Sequence, residues 1–299
     1  MHDRMPQEPR LVLYAIPLFI AAMIVEGLWA RRRAVVGYET RDTAASLTMG
    51  VVSLFFTAAG KLIWIPAFVA LYDHRLFDLP VAWWTWLLLL FAEDHSYYWF
   101  HRLHHEVRLL WATHVNHHSS QHFNFSTALR QPWLTAFTSQ IFWAPLPLLG
   151  FPVWMILIAQ AWSLIYQFWL HTEAVAKLGP LEWVLNTPSH HRVHHGKNVA
   201  YLDKNHGGIF IVWDRLFGTF APEAEPVVYG LTKDIDTFNP LRIAFHEVGA
   251  IARDVGRAPT LAAKLGYAFA PPGWSHDGST LTAHQLQHAI EPSPARSDD

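Results

Sequence analysis

Five long apolar runs crowd the first 170 residues, and any fold must find a place for them. Residues 11–29, "LVLYAIPLFIAAMIVEGLW", are almost wholly apolar and stop at Arg31, Arg32 and Arg33. Residues 47–71 are interrupted only by small polar residues and Lys61. Residues 80–100 stay apolar until Glu93 and Asp94, and the last two runs, 133–149 and 151–170, are separated by "APLPLLGFP". Each approaches or exceeds the ~20 residues that cross a bilayer as a helix. A soluble helical protein would have to bury all five, which is hard in a chain of 299 residues. Composition agrees: 52% of residues are hydrophobic and 15% charged, where an ordinary domain has about 25% charged. The formal charge of -2 gives no general affinity for nucleic acid. The first run lacks a clear small-residue cleavage site and its charges follow it, so it is not a typical signal peptide.

Charge sets a topology. Arg31, Arg32, Arg33 and Arg41 lie between runs one and two, whereas 72–79, "YDHRLFDL", holds two acids and one arginine. The positive-inside rule puts 31–46 in the cytoplasm and 72–79 outside. Run three then returns near residue 100, and runs four and five go out and back, as a crossing or re-entrant hairpin, to about residue 171. The expected fold is all-α: a polytopic integral membrane helical bundle of about four to five transmembrane or re-entrant helices under a cytoplasmic histidine-rich di-metal cap. Three segments follow: N-terminal transmembrane helices in 1–90, the core in 91–220, and a C-terminal cytoplasmic extension in 221–299. Residues 240–269 can form one or two amphipathic helices, and 271–299, rich in Pro, Ser, Asp and His, is expected to be poorly ordered.

Fourteen of the twenty histidines fall in two windows, 95–122 and 171–206. His101 and His105 are spaced i, i+4. His114, His117 and His118 are spaced i, i+3, i+4, and His191, His194 and His195 repeat that offset. On helices each set converges on one stripe. These eight imidazoles, with His171 at the end of run five as a ninth, suit two metal ions better than one. Imidazole serves zinc, copper, iron and nickel. The chain has no cysteine, which removes thiolate zinc sites, Cys-ligated clusters and cysteine nucleophiles. HExxH is absent, which argues against a thermolysin-type protease, and no Glu-x-x-His pair of the soluble di-iron bundles stands near these histidines. A neutral imidazole shell at a membrane face points to two iron ions and O2 activation, the chemistry that attacks unactivated C–H bonds. A pH-sensitive histidine patch would not need three helically spaced sets. A metal transporter would place its ligands inside the spans, whereas most of these lie past them; a zinc hydrolase at the membrane face stays open. His104, His190 and His206 are less well placed for metal contact.

At these residues the chain resembles the fatty acid hydroxylase/sterol desaturase superfamily of membrane non-haem di-iron oxygenases. The family pattern HxxxH, HxxHH, HxxHH reads here "HRLHH" (101–105), "HVNHH" (114–118) and "HRVHH" (191–195). Phrases such as "STALRQ", "YQFWLHTE" and "DKNHGGIFIVWDRLFGTF" look most like the alkylglycerol monooxygenase-like branch, which cleaves ether lipids. The resemblance implies that His101, His105, His114, His117, His118, His191, His194 and His195 are iron ligands and that His171 matches a further family histidine. Gln167 stands where some relatives carry another. It also implies a membrane lipid substrate, hydroxylation or desaturation with O2, and a separate electron donor or reduced pterin; no GxGxxG loop for a flavin or nicotinamide is present. Glu106 is carried as a candidate ligand or base. Asp94, Glu106, Glu173 and Asp203 are candidates to orient ligand imidazoles. Arg130 is a candidate for a lipid phosphate or cofactor anion.

Overall fold

The structure, a computed structural model, describes residues 11–33 and 37–290. Among them no strand forms, and the only β-pairing is two isolated bridges, Leu185 with Phe210 and Gly196 with Tyr229. Three long helices come first: α1 (Leu11–Arg33), α2 (Thr40–Asp73) and α3 (Trp83–Glu106). Short helices follow, α4 (Arg108–Trp111), α5 (Val115–His118), α6 (Phe125–Ala128), α7 (Thr135–Thr138) and α8 (Pro145–Leu149), and then the apolar α9 (Val153–Phe168). Next are α10 (Pro188–His194) and α11 (Val212–Phe217), and finally α12 (Pro240–Arg257), α13 (Leu261–Phe269) and α14 (Ala283–Ile290).

Two of the five apolar runs, one and two, become helices long and apolar enough to cross a membrane, by length and composition. Neither is the buried core helix of a soluble protein, since only 22% and 11% of their apolar windows are buried. Leu62 and Phe55 of α2 are 79% and 73% exposed. Run three forms α3, whose first half is apolar and outward-facing, with Trp83, Leu87 and Leu88 exposed. Its second half enters the cap, where Glu93, Asp94, His101, His104 and His105 are buried. Run four is not one helix. It breaks into α7, a 3-10 turn (Gln140–Trp143) and α8. Pro145 and Pro147 lack the N–H a longer helix needs, and Gly150 closes α8 at φ 104. This segment packs backbone-close on α2. A Cβ at Gly50 or Gly60 would lie 2.6 or 2.5 Å from the carbonyl oxygen of Leu129 or Ala136, so only glycine fits. Residues 271–290 are more structured than their composition suggests. Thr282 and Gln285 cap α14, and Gln287 donates to the carbonyls of Leu202 (2.8 Å) and Val199 (3.2 Å). Residues 291–299 lie outside the described residues.

Buried polar ties bind the apolar helices to the cap. The Arg130 guanidinium, 1% exposed, pairs with Asp42 of α2 and donates to Ser46 Oγ and Ser119 Oγ. Asp42 also accepts from Ser120 at 2.6 Å. Glu26 of α1 accepts from Tyr38 Oη (2.5 Å), from the Phe125 amide (2.9 Å) and from Thr172 Oγ1. On the far side, Arg108 bridges to Glu247 (2.7 Å) and Asp254 (2.8 Å) of α12.

Breaking a buried ion pair from one side leaves an uncompensated charge, which typically costs about 3–5 kcal/mol. Asp42→Ala is therefore expected to destabilise the cap by that order while leaving α1 and α2 helical. Chemical-denaturant unfolding followed by far-UV circular dichroism in detergent checks it; a loss under about 1 kcal/mol would mean Arg130 finds another partner.

Candidate metal centre

The eight histidines that sequence spacing singles out, with His171 at the end of run five, come together in two groups. His101, His105, His114, His118 and His194 form one; His117, His171, His191 and His195 form the other. Within each group the ligand atoms lie within 4.8 Å of one another, and every side chain is buried. The two HxxHH triplets do not each serve one ion. His114 and His118, at i and i+4, share the first group while His117 belongs to the second. In the third motif the assignment is reversed: His191 and His195 share the second group, and His194 belongs to the first. Positions i and i+4 lie one above the other on a helix, whereas adjacent residues diverge by about 100°. Each short turn therefore supplies two imidazoles to one group and one to the other. The groups touch: the His118 and His195 rings stack at 4.3 Å between centroids, and the His191 and His194 rings at 5.3 Å.

The donor set fits a pair of cations. His101 Nε2 and His114 Nε2 stand 3.1 Å apart, His117 and His171 Nε2 3.2 Å, and His171 and His191 Nε2 2.9 Å. Neighbouring nitrogens held 2.0–2.1 Å from a common ion lie about 3 Å apart. The Nε2 atoms of His105, His118, His194 and His195 are buried without any hydrogen-bond partner. Such atoms are rare unless an ion or water completes them. In four of the nine the opposite ring nitrogen faces a carbonyl, while Nδ1 of His114 and of His191 has no partner. Nδ1 of His101 faces the His206 carbonyl (2.9 Å), that of His194 the Lys204 carbonyl (2.9 Å), that of His171 the Gln167 carbonyl (2.9 Å) and that of His117 the Arg130 carbonyl (3.3 Å). An Nδ1–H bound to a carbonyl leaves Nε2 as the free lone pair, the tautomer a metal requires. Burial, reinforced by neighbouring imidazoles, holds His114, His118, His171, His191 and His195 well below the usual histidine range. It takes His117 down to about 4 and His194 to about 3. The centre is neutral at physiological pH and ready to bind cations.

Several sequence expectations need correction. Asp94 orients no histidine; its two oxygens accept from the Ile209 amide (2.5 Å), the Phe210 amide (3.1 Å) and Trp213 Nε1 (2.9 Å). Glu106 joins neither group and pairs with Arg102 at 2.8 Å, its side chain 34% exposed. Glu173 accepts from Tyr229 instead. Only Asp203 approaches a ligand imidazole, 3.6 Å from His105 Nδ1. Arg130 is sealed against Asp42 and cannot reach a lipid phosphate; its backbone carbonyl is what faces His117. The Gln167 side chain donates to Ser163 Oγ at 3.0 Å, so only its carbonyl serves the centre. His104 is satisfied by the Phe100 carbonyl and Thr138 Oγ1. His190 stands outside both groups, against Phe220. His206 belongs to neither group, yet its ring lies 5.1 Å from His105 and both its nitrogens lack partners. Sequence reasoning missed Asp214, which accepts from the amides of His206 and Gly207 at 2.7 Å and from Thr219 Oγ1. With Asp94 it fixes the 206–213 loop, which runs through the conformation that presents the His206 carbonyl to His101. An apolar cavity of about 500 Å3 opens between α1 and α9, lined by Leu18, Phe19, Ala22, Trp162 and Phe168. Phe168 stands three residues before His171.

Two adjoining all-histidine groups at the end of apolar helices define a helical protein with a buried candidate metal centre. Residues 86–219 match the model of the fatty acid hydroxylase family, so the segment bearing eight of the nine clustered histidines in motif spacing, with His171 between them, is a fatty acid hydroxylase domain. The chain is 43% identical over 272 residues to alkylglycerol monooxygenase of Homo sapiens, covering 89% of this chain and 60% of that protein. It is 39% identical over 269 residues to that of Xenopus tropicalis, with 89% and 59% covered. Ornithine lipid hydroxylase OlsE of Rhizobium tropici is 32% identical over 219 residues, covering 71% of this chain and 65% of that protein. The chain thus spans about 60% of the length of the alkylglycerol monooxygenases it matches. No solved structure matches it.

The split of the motifs makes metal content informative. His195→Ala and His118→Ala each remove one member of a different group. Each is expected to lower bound metal from two ions per chain to one, whereas His104→Ala leaves two; plasma mass spectrometry of purified protein measures this. The depressed imidazoles also give a pH dependence. An unfolded histidine takes up its proton near pH ~6.5, while the folded ones stay neutral down to about 4 or 3. The unfolded state binds more protons across that window, so stability rises with pH there and is lost on acidification. The unfolding temperature of metal-free protein should fall steadily from about pH 6.5 to about pH 4; a flat profile would contradict neutral buried imidazoles.

Proposed function

We propose that the chain is an O2-dependent, membrane-bound, non-haem di-iron monooxygenase that hydroxylates a lipid C–H bond, with the ether α-carbon of an alkylglycerol as the leading substrate. The observation that carries this reading is the division of nine buried histidines into two touching groups. His101, His105, His114, His118 and His194 would hold one iron and His117, His171, His191 and His195 the other, and the iron pair would supply the O2-derived oxidant that takes hydrogen from an unactivated carbon. The chain's own contribution is positional and dielectric. Buried imidazoles stay neutral and keep their lone pairs inward, and main-chain carbonyls fix their ring planes. Apolar walls exclude water from a site where a reactive oxidant would otherwise be quenched. The cavity between α1 and α9 is lined by carbon and suits an alkyl chain arriving from a bilayer. Hydroxylation of an ether α-carbon gives a hemiacetal, which separates into an aldehyde and an alcohol.

In this reading α1 and α2 cross the membrane, the segment from 133 to Phe168 is re-entrant, and the histidine cap lies on the cytoplasmic side, as the arginines after α1 suggest. Electrons come from outside the chain, from a protein donor or a reduced pterin. Full-length protein reconstituted with Fe(II) is expected to consume O2 and release fatty aldehyde from a 1-O-alkylglycerol when reduced pterin is supplied. His118→Ala and His194→Ala are expected to abolish this. Full turnover by a zinc-loaded protein without O2 uptake would overturn the reading.

A further inference from the structure

Helices α12 and α13 carry more apolar surface than their packing uses. On α12 the inward stripe, Ile243, Ala244 and Ile251, is buried; Ile243 and Ala244 pack with Ala45, Met49 and Trp133. A second stripe beside it, Leu241, Phe245 and Val248, follows the i, i+4, i+7 spacing of a helix face and is exposed, although Phe245 also meets Trp133 edge-on at 6.0 Å. On α13, Leu261, Leu265 and Phe269 repeat this at i, i+4, i+8, with Leu261 72% exposed. Exposed apolar patches of this kind mark interaction surfaces.

Two observations identify the occupant. The first is position. Helix α2 has 34 residues, so it is about 51 Å long at about 1.5 Å per residue, against ~30 Å of hydrocarbon. Its N-terminal turns therefore project beyond the apolar layer on the cap side, where Asp42 holds Arg130 and Ser120. Helix α12 packs on those turns, at Ala45 and Met49, whereas the exposed Leu47, Val51 and Leu54 lie on the opposite face of α2. The unused stripe thus lies beside the cap-side turns of α2, near the depth where headgroups meet acyl chains if α2 spans the bilayer. The second is charge. Arg242, Arg253, Arg257 and Lys264 belong to these two helices, and among the described residues none forms an ion pair with an acidic side chain, whereas Glu247 and Asp254 are held by Arg108. Apolar stripes flanked by unpaired cations are the pattern of helices lying in an anionic bilayer interface.

We infer that α12 and α13 form an in-plane membrane anchor, with Leu241, Phe245, Val248, Leu261, Leu265 and Phe269 seated among the lipids of an anionic leaflet. This rests on the reading of α2 as membrane-spanning. The anchor clamps the cap to the bilayer through Arg108 and holds the centre at a fixed height above the surface that supplies its substrate.

The chain has no cysteine, so full-length single-cysteine variants can each carry one environment-sensitive fluorophore. Leu241→Cys and Leu265→Cys test the anchor and Leu62→Cys tests α2, in phosphatidylcholine vesicles containing phosphatidylglycerol. All three labels are expected to be quenched by doxyl-labelled lipid and shielded from aqueous iodide, with those at 241 and 265 shallower than that at 62. If 62 reports lipid while 241 and 265 are quenched by iodide, the anchor is refuted and the span stands. Labels at 241 and 265 shielded from both quenchers would mean a protein surface covers this face, which also refutes it. Iodide quenching at 62 removes the span and the anchor together.

Discussion

Every imidazole of the centre must be dry, neutral and aimed, and the cap is built to meet that demand. Desolvation disfavours the charged form of histidine, and crowding adds mutual repulsion, as the depressed groups around His114, His118 and His195 show. Packing so many basic rings together with one carboxylate, Asp203, at their edge would leave buried nitrogens uncompensated. Cations turn that liability into binding energy, because the free lone pairs already face inward. Burial and metal affinity thus have one cause.

Aiming is achieved by backbone. The carbonyls of Arg130, of Gln167 and of Lys204 and His206 in one loop come from three different stretches, and each stretch is held by buried polar contacts of its own. Asp94 and Asp214 grip the loop bearing His206. Asn205, in the left-handed region at φ 58, ties the same loop to the carbonyls of His190 and Ala221. Arg130 is held by α2 and Thr172 by α1. Through these ties the position of the apolar helices is mechanically linked to His117 and His171, the residues of the second group nearest them.

Much of this was legible in sequence because it depends on local periodicity. The i, i+3, i+4 spacings placed the histidines on helical turns, and the first two apolar runs became α1 and α2. The allocation of each triplet between two ions was not legible: spacing places residues on a turn but does not say what faces that turn. The orienting groups were sought among Asp94, Glu106, Glu173 and Asp203, since side chains are what a sequence displays. Backbone carbonyls carry no sequence signature, so Arg130 and Gln167 were noticed for side chains that serve elsewhere. Hydropathy also overlooked the prolines of run four, because an average over a window does not register a missing N–H. The C-terminal region was judged by its polar composition, and the docking of Gln287 onto two carbonyls is a tertiary contact that composition does not contain.

The exchange of roles between the triplets bears on how the two metal positions relate. His117 and His118 are covalent neighbours, as are His194 and His195, and each pair divides between the groups. The spacing of the two positions is therefore set by the geometry of two short helical turns, α5 and α10, which pack against each other through those four rings. Neither position can shift without dragging a ligand of the other. In the proposed reading a substrate carbon would need a metal pair of fixed separation at a fixed distance from its approach, and rigidity of this kind would supply the first requirement. The second falls to α1 and α9, which frame the apolar cavity and end in the contacts of Phe168 with Phe19 and Phe125. Three residues, from Phe168 to His171, thus separate the lining of the apolar cavity from the buried histidine centre.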